Sequence, residues 1–404
     1  MKEINPTIKL QQTLSKQIYD TLQGAMLERI LEEARTSDSD NYWRNSMEGH
    51  SFKVEKSLLP HLHEMFYEVK DKLGYKEDVD FYITGDSSVN AFSVAAETKD
   101  GHHIVNVNSA LVELMSDDEL RFVIGHELGH LIDEDTRLRR LIYFVFPAGA
   151  SVPTALYHKI RLEEQLAELV ADRYGYLAVG KLEPCVSAFF KMASGLDISK
   201  MNIKLEALLE ENLKHLDYFL SDKGVSTETH PVNPIRVQSL NIFANAKNQK
   251  SLDKDMEPLI QILLRVGSSA LDKAVSEFVA TAGLIVASVD EEISQEEVDV
   301  IINSLADTQM FPNAFLEEIS KKPDVSDIFV KSIETIFNEN PMLREPMFDY
   351  IISLVLADKR VDSKKIDLLY QMGENFFSYS RKEVAAMLAE TVQARFIPDL
   401  RSLG

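Results

Sequence analysis

The stretch Arg121 to Asp133 reads RFVIGHELGHLID and places His126, Glu127 and His130 in the spacing His-Glu-x-x-His. Positions four apart lie on nearly the same side of a helix, so the two imidazoles can hold one metal ion. Glu127 projects about a quarter turn away, where its carboxylate can take a proton from a water on that metal. The spacing therefore predicts a hydrolytic metal centre, although packed helical histidines are the simpler explanation of the motif taken alone.

The residues around the motif predict a helix with a defined start. Ser116 followed by Glu119 forms the pattern of a capping box, and Asp117 and Asp118 suit the positive end of a helix dipole. Apolar residues recur at three-to-four spacing through the same segment. They are Leu120, Val123, Ile124, Leu128 and Leu131.

Composition limits the classes of protein to consider. The chain has 404 residues, of which 45% are apolar, so two or three domains with proper cores are expected. Its formal net charge is −22 and its pI is about 4.9. The negative electrostatic field of such a chain repels phosphate backbones and anionic lipid. We therefore expect no nucleic-acid partner.

The single cysteine, Cys185, excludes an internal disulfide, and its surroundings favour a buried apolar role over a nucleophile. The first residues, MKEINPTIKLQQTLSKQ, contain no long apolar run behind a basic start. These two features lead us to expect a cytoplasmic protein.

The N-terminal part of the chain predicts helices. Residues 1–51 have apolar side chains at helical spacing over most of their length, interrupted by a polar loop at 36–45 that carries Trp43. Residues 52–73 predict a further helix. We expect residues 1–51 to form a separate N-terminal helical segment.

Strands are predicted between that helix and the metal motif. The candidates are Val79–Thr84, Ala91–Ala95 and Ile104–Val107, with a turn at 99–101 between the last two. A short sheet followed at once by the metal helix resembles the order found in zincin metallopeptidases, and this resemblance implies that Ala91–Ala95 is an edge strand along the cleft, where an extended peptide can pair with it. The preceding residue, Asn90, is either a substrate contact or a turn residue.

An uncharged segment, Leu141 to Tyr157, follows the metal motif and contains Pro147, Gly149 and Pro153. Its length is at the lower limit for a membrane span, and the prolines and glycine break it. A hydrophobic cover or helical hairpin over the cleft is the favoured interpretation. A buried core element and a membrane-dipping segment are the alternatives.

A second functional helix is predicted over Lys159–Val179. Glu168 and Asp172 are four apart within a mostly apolar run, so one carboxylate can bind metal while the other orients a histidine. Glu163 and Glu164 are expected to be solvated.

Four motifs in this order resemble metallopeptidase family 48, the gluzincins that include HtpX and the CAAX prenyl protease. The resemblance covers about Phe52 to Ala246. Its motifs are Asn90-Ala91-Phe92, His126-Glu127-x-x-His130, Glu168-Leu169-Val170-Ala171-Asp172, and His230-Pro231 with Arg236 six residues after the histidine.

This resemblance implies a zincin-like domain with one zinc ion per chain, held by His126, His130 and Glu168. Glu127 would be the general base, and Asp172 would orient a ligand. The family further implies that His230 donates to the oxyanion and that Arg236 holds the local structure or pairs with Asp172. The implied substrate-binding residues are Asn90, Ala91 and Phe92.

The C-terminal region, residues 251–404, is predicted to be all-helical and to contain a repeat. Residues 286–302 align with residues 354–370 at an offset of 68, each copy giving a helix, an Asp-containing turn and a second helix. Ser294 and Asp362 are the expected caps. The repeat resembles the TerB-like helical domain, which implies a module that binds a protein partner. In the first turn, Asp290 and Glu292 are better explained by helix capping than by calcium binding.

The sequence thus predicts a mainly α (α+β) fold with three parts: residues 1–51, a metallopeptidase domain at 52–250 and a helical domain at 251–404. The predicted function is a zinc-dependent endopeptidase acting on cytoplasmic polypeptides. The alternative is a non-catalytic adaptor or stress sensor with a structural zinc. Glu127 favours the enzyme, because a structural zinc site needs four protein ligands and no base.

Overall fold

The computed structural model describes residues 4–34, 42–96, 101–148, 150–197, 201, 203–221, 230–266, 269–289, 294–357 and 363–397. The chain forms two compact units. Unit 1 comprises Met1–Val152 and Lys159–Leu264, and unit 2 comprises Pro153–His158 and Arg265–Gly404. The main division follows Leu264, because a helix at Gln249–Leu263, which the prediction placed mostly in the C-terminal part, packs on the helix Asn233–Asn245 of unit 1.

Most of unit 1 is helical. Its helices are α1 (Lys9–Thr21), α2 (Gly24–Ala34), α3 (Tyr42–His50), α4 (Pro60–Lys72), α5 (Ser109–Leu114), α6 (Asp117–Ile132), α7 (Asp135–Val145), α8 (Thr154–Val179, whose first residues fall in unit 2), α9 (Leu182–Ser194), α10 (Leu205–Ser221), α11 (Asn233–Asn245) and α12 (Gln249–Leu263). The predicted N-terminal helices lie in the same compact unit as the metal motif, since α1 and α2 both pack on α7.

A four-stranded sheet, in the order β1-β2-β4-β3, accompanies these helices. Its strands are β1 (Phe52–Lys53), β2 (Val79–Thr84), β3 (Ala91–Val94) and β4 (His103–Asn108). Strand β2 runs parallel to β4, whereas β1 and β3 are antiparallel to their neighbours. The predicted strand Ala91–Ala95 is therefore confirmed as an edge strand, and it contacts α6.

Two local predictions were wrong. The segment predicted as one helix over residues 52–73 begins with β1, and helix α4 starts only at Pro60. Proline suits the first turn of a helix, because its missing N–H would have no partner there. The predicted loop at 36–45 ends in helix α3, which contains Trp43; residues 36–41 lie outside the described part.

The uncharged segment 141–157 is divided between two helices and a connection. Helix α7 continues to Val145, helix α8 starts at Thr154, and the described residues between them are not helical. Leu141 and Ile142 are buried, while Tyr143 and Phe144 are 59% and 51% exposed. No helix in the described part of the chain combines the length and apolar character that crossing a membrane requires.

Unit 2 is all-helical in its described residues, as predicted. Besides a short 3-10 helix at Pro341–Leu343, its helices are α13 (Ala270–Ala287), α14 (Gln295–Leu305), α15 (Pro312–Ser320), α16 (Val325–Glu339), α17 (Arg344–Val355), α18 (Ser363–Phe376) and α19 (Arg381–Arg395). Helix α13 is central, because it packs on α14, α15, α16 and α17.

The predicted repeat corresponds to the helix pairs α13–α14 and α17–α18. Ser294 forms the predicted cap, accepting from the Glu297 N–H at 3.2 Å. Residues 290–293 and 358–362, with both predicted Asp turns and the cap Asp362, lie outside the described residues. The likeness to the TerB-like domain stays a prediction.

Candidate metal centre

Helix α6 positions the two histidines and begins as predicted. The backbone N–H of Ser116 donates to Glu119 Oε2 at 2.7 Å, which completes a capping box. The ammonium of Lys191 lies 2.8 Å from the same oxygen, so a buried ion pair joins the start of α6 to α9. This anchored start fixes the direction in which His126 and His130 project.

Three side chains converge at the centre. The Nε2 atoms of His126 and His130 are 3.1 Å apart. Glu168 on α8 places Oε1 3.5 Å from His130 Nε2 and Oε2 3.5 Å from His126 Nε2. One ligand atom from each residue lies within 4.8 Å of the others, an arrangement that no other group of three acidic, histidine or cysteine residues reaches in the described chain.

A carboxylate fixes each imidazole from behind. His126 Nδ1 lies 2.9 Å from Asp172 Oδ1, and His130 Nδ1 lies 2.6 Å from Asp135 Oδ2. A carboxylate can only accept, so both Nδ1 atoms carry a proton, and Nε2 is the nitrogen of each ring that can bind a metal. The structure therefore has the orientation that a metal site needs at each histidine.

These residues fit a divalent cation. Two Nε2 lone pairs 3.1 Å apart would repel each other, so this contact needs a cation between the rings, either a proton or a metal ion. Glu168 Oε2 is buried and accepts no hydrogen bond of regular geometry, although the charged Arg236 lies nearby. Two imidazole nitrogens and one carboxylate form the donor set of catalytic zinc sites, so zinc is the expected metal.

Arg236 on α11 balances part of the negative charge. Its guanidinium donates to both oxygens of Asp172, at 2.9 and 2.7 Å, and Nη2 lies 3.2 Å from Glu168 Oε2. It also stacks over the Phe189 ring, with 4.9 Å between the guanidinium carbon and the ring centroid. The predicted pairing of Arg236 with Asp172 is confirmed.

The pKa values reflect the density of charge. Burial alone would raise the pKa of Glu168, but the charges of Arg236 and His130 outweigh it and lower this pKa to about 2. Burial would also raise the pKa of Asp172, but the charge of Arg236 holds this pKa well below its usual range. At His130, burial favours the neutral ring, yet Asp135 raises the pKa to about 10. The centre thus favours a positive charge at the histidines, which a metal ion supplies.

Glu127 and His230 complete the predicted centre in different ways. Glu127 is 6% exposed, and its charge is felt by both His130 and Arg236. His230 places Nε2 3.3 Å from Glu168 Oε1, and its side chain is 61% exposed. It lies outside the compact group of three ligands. An exposed imidazole beside the ligands is suited to contacting a substrate.

The predicted substrate residues lie at the edge strand. Asn90 is exposed, and its carbonyl accepts from the Asn108 N–H at 2.9 Å. Ala91 packs against the large core of unit 1, whereas Phe92 packs with a separate small cluster and lies 5.6 Å from Trp43, ring centroid to ring centroid. Ala91 and Phe92 therefore face opposite sides of the sheet, and each side chain is packed in its own cluster. What the edge strand offers a substrate is mainly its backbone and not the Phe92 ring.

Sequence reasoning missed Asp135. It falls five residues after His130 within the acidic run Asp133-Glu134-Asp135, and the need of His130 for an Nδ1 acceptor was the signal that could have identified it.

The expectation that Glu163 and Glu164 are solvated was wrong, since they are 2% and 7% exposed. Both are satisfied by partners, Glu163 by Gln11 and Ser15 of α1, and Glu164 by Arg161.

Comparison with known proteins supports the same chemistry. Residues 57–243 match the model of peptidase family M48. This match lies within the predicted resemblance at Phe52–Ala246 and includes the three candidate ligands, Glu127 and Arg236. The family match and the ligand geometry together support a zinc metallopeptidase domain.

Relatives are similar over part of their length. The chain is 28% identical over 221 residues to the plastoglobule-localized metallopeptidase 48 of Arabidopsis thaliana, covering 51% of this chain and 63% of that protein. It is 26% identical over 184 residues to a protease HtpX homolog of Dictyoglomus thermophilum, covering 40% and 57%. The chain thus spans less than two thirds of either relative. No solved structure matches it.

Proposed function

We propose that this protein is a zinc-dependent endopeptidase that hydrolyses peptide bonds in extended or unfolded polypeptides. The observation that carries this proposal is the set of His126, His130 and Glu168, whose ligand atoms lie within 4.8 Å of one another. Glu127, the expected general base, lies on the same helix as the two histidines. A base beside a three-ligand site is the arrangement of hydrolytic zinc enzymes.

Zinc bound there would act as a Lewis acid on the peptide carbonyl and on water. Asp172 and Asp135 keep the Nδ1 protons on His126 and His130, so both Nε2 atoms remain available as ligands. Glu127 takes a proton from the attacking water and returns it to the leaving amine. His230, exposed beside Glu168, donates to the developing oxyanion.

The edge strand supports a polypeptide substrate. Among the strands that the structure describes, β3 pairs with β4 alone, and it packs against α6, which carries Glu127. An extended peptide can hydrogen-bond to such an edge, with its side chains alternating to either side. The cytoplasmic location of these substrates, and partner binding through residues 251–404, stay predictions.

The adaptor alternative is less well supported. A structural zinc would require four protein ligands, and the compact group in the described residues has three. Glu127 would also have no role in such a site.

The test compares wild type with Glu127→Gln at equal zinc loading, measuring zinc content and cleavage of unfolded casein. Both proteins should retain about one zinc per chain, because Glu127 is not a ligand. The variant should lose roughly 10²–10⁴-fold in rate, the usual contribution of a general base. Glu113→Gln, at an exposed position on α5, is the matched control and should cleave normally.

Equal cleavage by wild type and Glu127→Gln would contradict the assignment of the base. The outcome that favours the adaptor function is a wild-type protein that retains zinc but cleaves neither casein, nor unfolded segments of casein, nor a peptide library.

A further inference from the structure

Helix α1 lies outside the region matched by the family model, yet it reaches both helices that supply metal ligands. Gln11 Nε2 lies 2.7 Å from Asp133 Oδ2 and 3.0 Å from Glu163 Oε1. Asp133 is the C-cap of α6, three residues after the ligand His130, and Glu163 lies on α8, five residues before the ligand Glu168. A single amide therefore bridges the two ligand-bearing helices.

A second residue of α1 strengthens the bridge. The Ser15 hydroxyl lies 2.7 Å from Glu163 Oε1, and Gln11 Nε2 lies 3.2 Å from Ser15 Oγ. Gln11 is only 2% exposed and Glu163 also 2%, so water does not screen these contacts.

The bridge holds together groups that would otherwise separate. Asp133 and Glu163 are both acidic and both face the same amide. Burial and the charge of Asp135 raise the pKa of each, and the charge of Asp133 adds to the rise at Glu163. Without an N–H donor between them, the buried carboxyl group of Glu163 and the half-buried one of Asp133 repel or must share a proton. Their separation would move the end of α6 relative to α8.

We propose that Gln11 is a positioning residue of the metal centre, tying Asp133 on α6 to Glu163 on α8 and so fixing the distance between His130 and Glu168. Ser15 supports it. This role rests on the proposed zinc site, and it makes the N-terminal helix part of the metal centre. The ligands are thus supported by a segment that the family match does not include.

The test replaces Gln11 with methionine, which keeps the length of the side chain and removes the donor. Gln11→Met should weaken zinc affinity by roughly 10- to 100-fold, as expected when a group supporting metal ligands is lost. The cobalt-substituted protein should also show an altered visible absorption spectrum, because this signal reports the geometry of the ligands. Gln12→Met is the matched control, since Gln12 is the next residue of the same helix and is exposed.

A double variant separates positioning from general destabilisation. In Gln11→Met with Glu163→Gln, one of the two carboxyl groups is replaced by a neutral amide, so the repulsion that Gln11 offsets is removed and zinc affinity and the cobalt spectrum should return toward wild type. A Gln11→Met protein with wild-type zinc affinity and spectrum would overturn the positioning role while leaving the peptidase proposal intact. Loss of affinity that the double variant does not restore would also overturn it. A wild-type protein that binds no zinc would overturn both proposals.

Discussion

Glu163 lies buried on α8, although acidic residues on helices are usually solvated and its side chain was predicted to be so. Burial raises its pKa to about 8, the charge of Asp135 adds to this rise, and hydrogen bonds from Ser15 and Gln11 oppose it. The carboxyl group is therefore neutral over much of the range in which an unfolded glutamate, with a pKa of about 4.3, is ionised.

This shift predicts how stability depends on pH. Between about pH 4 and pH 8 the unfolded chain releases the proton of Glu163 while the folded protein keeps it, so the free energy of unfolding falls as pH rises. Glu163→Gln cannot titrate. We expect the variant to gain stability relative to wild type as pH increases from 5 to 8, measured by urea unfolding at constant zinc.

The control is Glu64→Gln at an exposed position of α4, which should stay within about 0.5 kcal/mol of wild type at every pH. A constant difference between Glu163→Gln and wild type across this range would show that Glu163 ionises normally in the folded state.

The sequence predicted the ligands and missed several of their supports, for a physical reason. His126, His130 and Glu168 lie on two helices whose periodicity fixes which side chains share a face. Gln11 reaches Asp133 from 122 residues away, a contact that only tertiary packing creates. Asp135 was closer in sequence, but it follows Glu134, whose φ of 59° turns the chain between α6 and α7, and no helical period extends across such a turn.

At the scale of elements, the decisive feature is the close packing of α6 on α8. A Cβ added at Gly125 would lie 2.6 Å from Ala178 Cβ and 3.0 Å from Gly175 Cα. One at Gly129 would lie 2.9 Å from Tyr174 Cβ and 3.0 Å from Ala171 Cα. The glycines four apart on α6 thus permit the approach that brings Glu168 to the histidines.

Gly125→Ala should therefore separate the two helices. Alanine would gain about 1 kcal/mol in helix propensity. The packing cost is larger, roughly 1–3 kcal/mol, because the atoms that the new methyl group meets cannot rotate away. We expect lower thermal stability together with weaker zinc binding, measured by calorimetry and by competition with a chromophoric chelator.

Gly49→Ala on α3 is the control, since an added methyl there meets no described atom within 4 Å. It should be neutral or stabilising, with unchanged zinc affinity. Normal zinc binding by Gly125→Ala would indicate that α8 can shift without moving Glu168.

Elements with a clear period were predicted best. Strand β2 has the predicted bounds Val79–Thr84, because its β-branched and aromatic residues leave little alternative. Strand β1 was missed because it has only two residues, Phe52 and Lys53, and exists by pairing with Ile83 and Tyr82 of β2. A segment that short has no period of its own to detect.

At the scale of the whole molecule, units 1 and 2 have separate large hydrophobic cores. Unit 2 also contains a buried ion pair, in which Lys365 Nζ lies 2.9 Å from Glu297 Oε1 with both side chains almost fully buried. These residues are 68 positions apart, the offset of the predicted repeat, so the pair joins equivalent positions of its two copies. Glu297 also belongs to the capping box of α14.

Separate cores predict separate unfolding transitions in calorimetry. Removing zinc with a chelator should lower only the transition temperature of unit 1, because a ligand stabilises the unit that binds it.

Lys365→Met should destabilise only unit 2, lowering its free energy of unfolding by roughly 3–5 kcal/mol, since it leaves the Glu297 charge buried without its partner. Adding Glu297→Gln should recover much of that loss, because glutamine removes the charge and still completes the capping box. A single transition that responds equally to the chelator and to Lys365→Met would mean that the two cores unfold as one cooperative structure, and the predicted independence would be wrong.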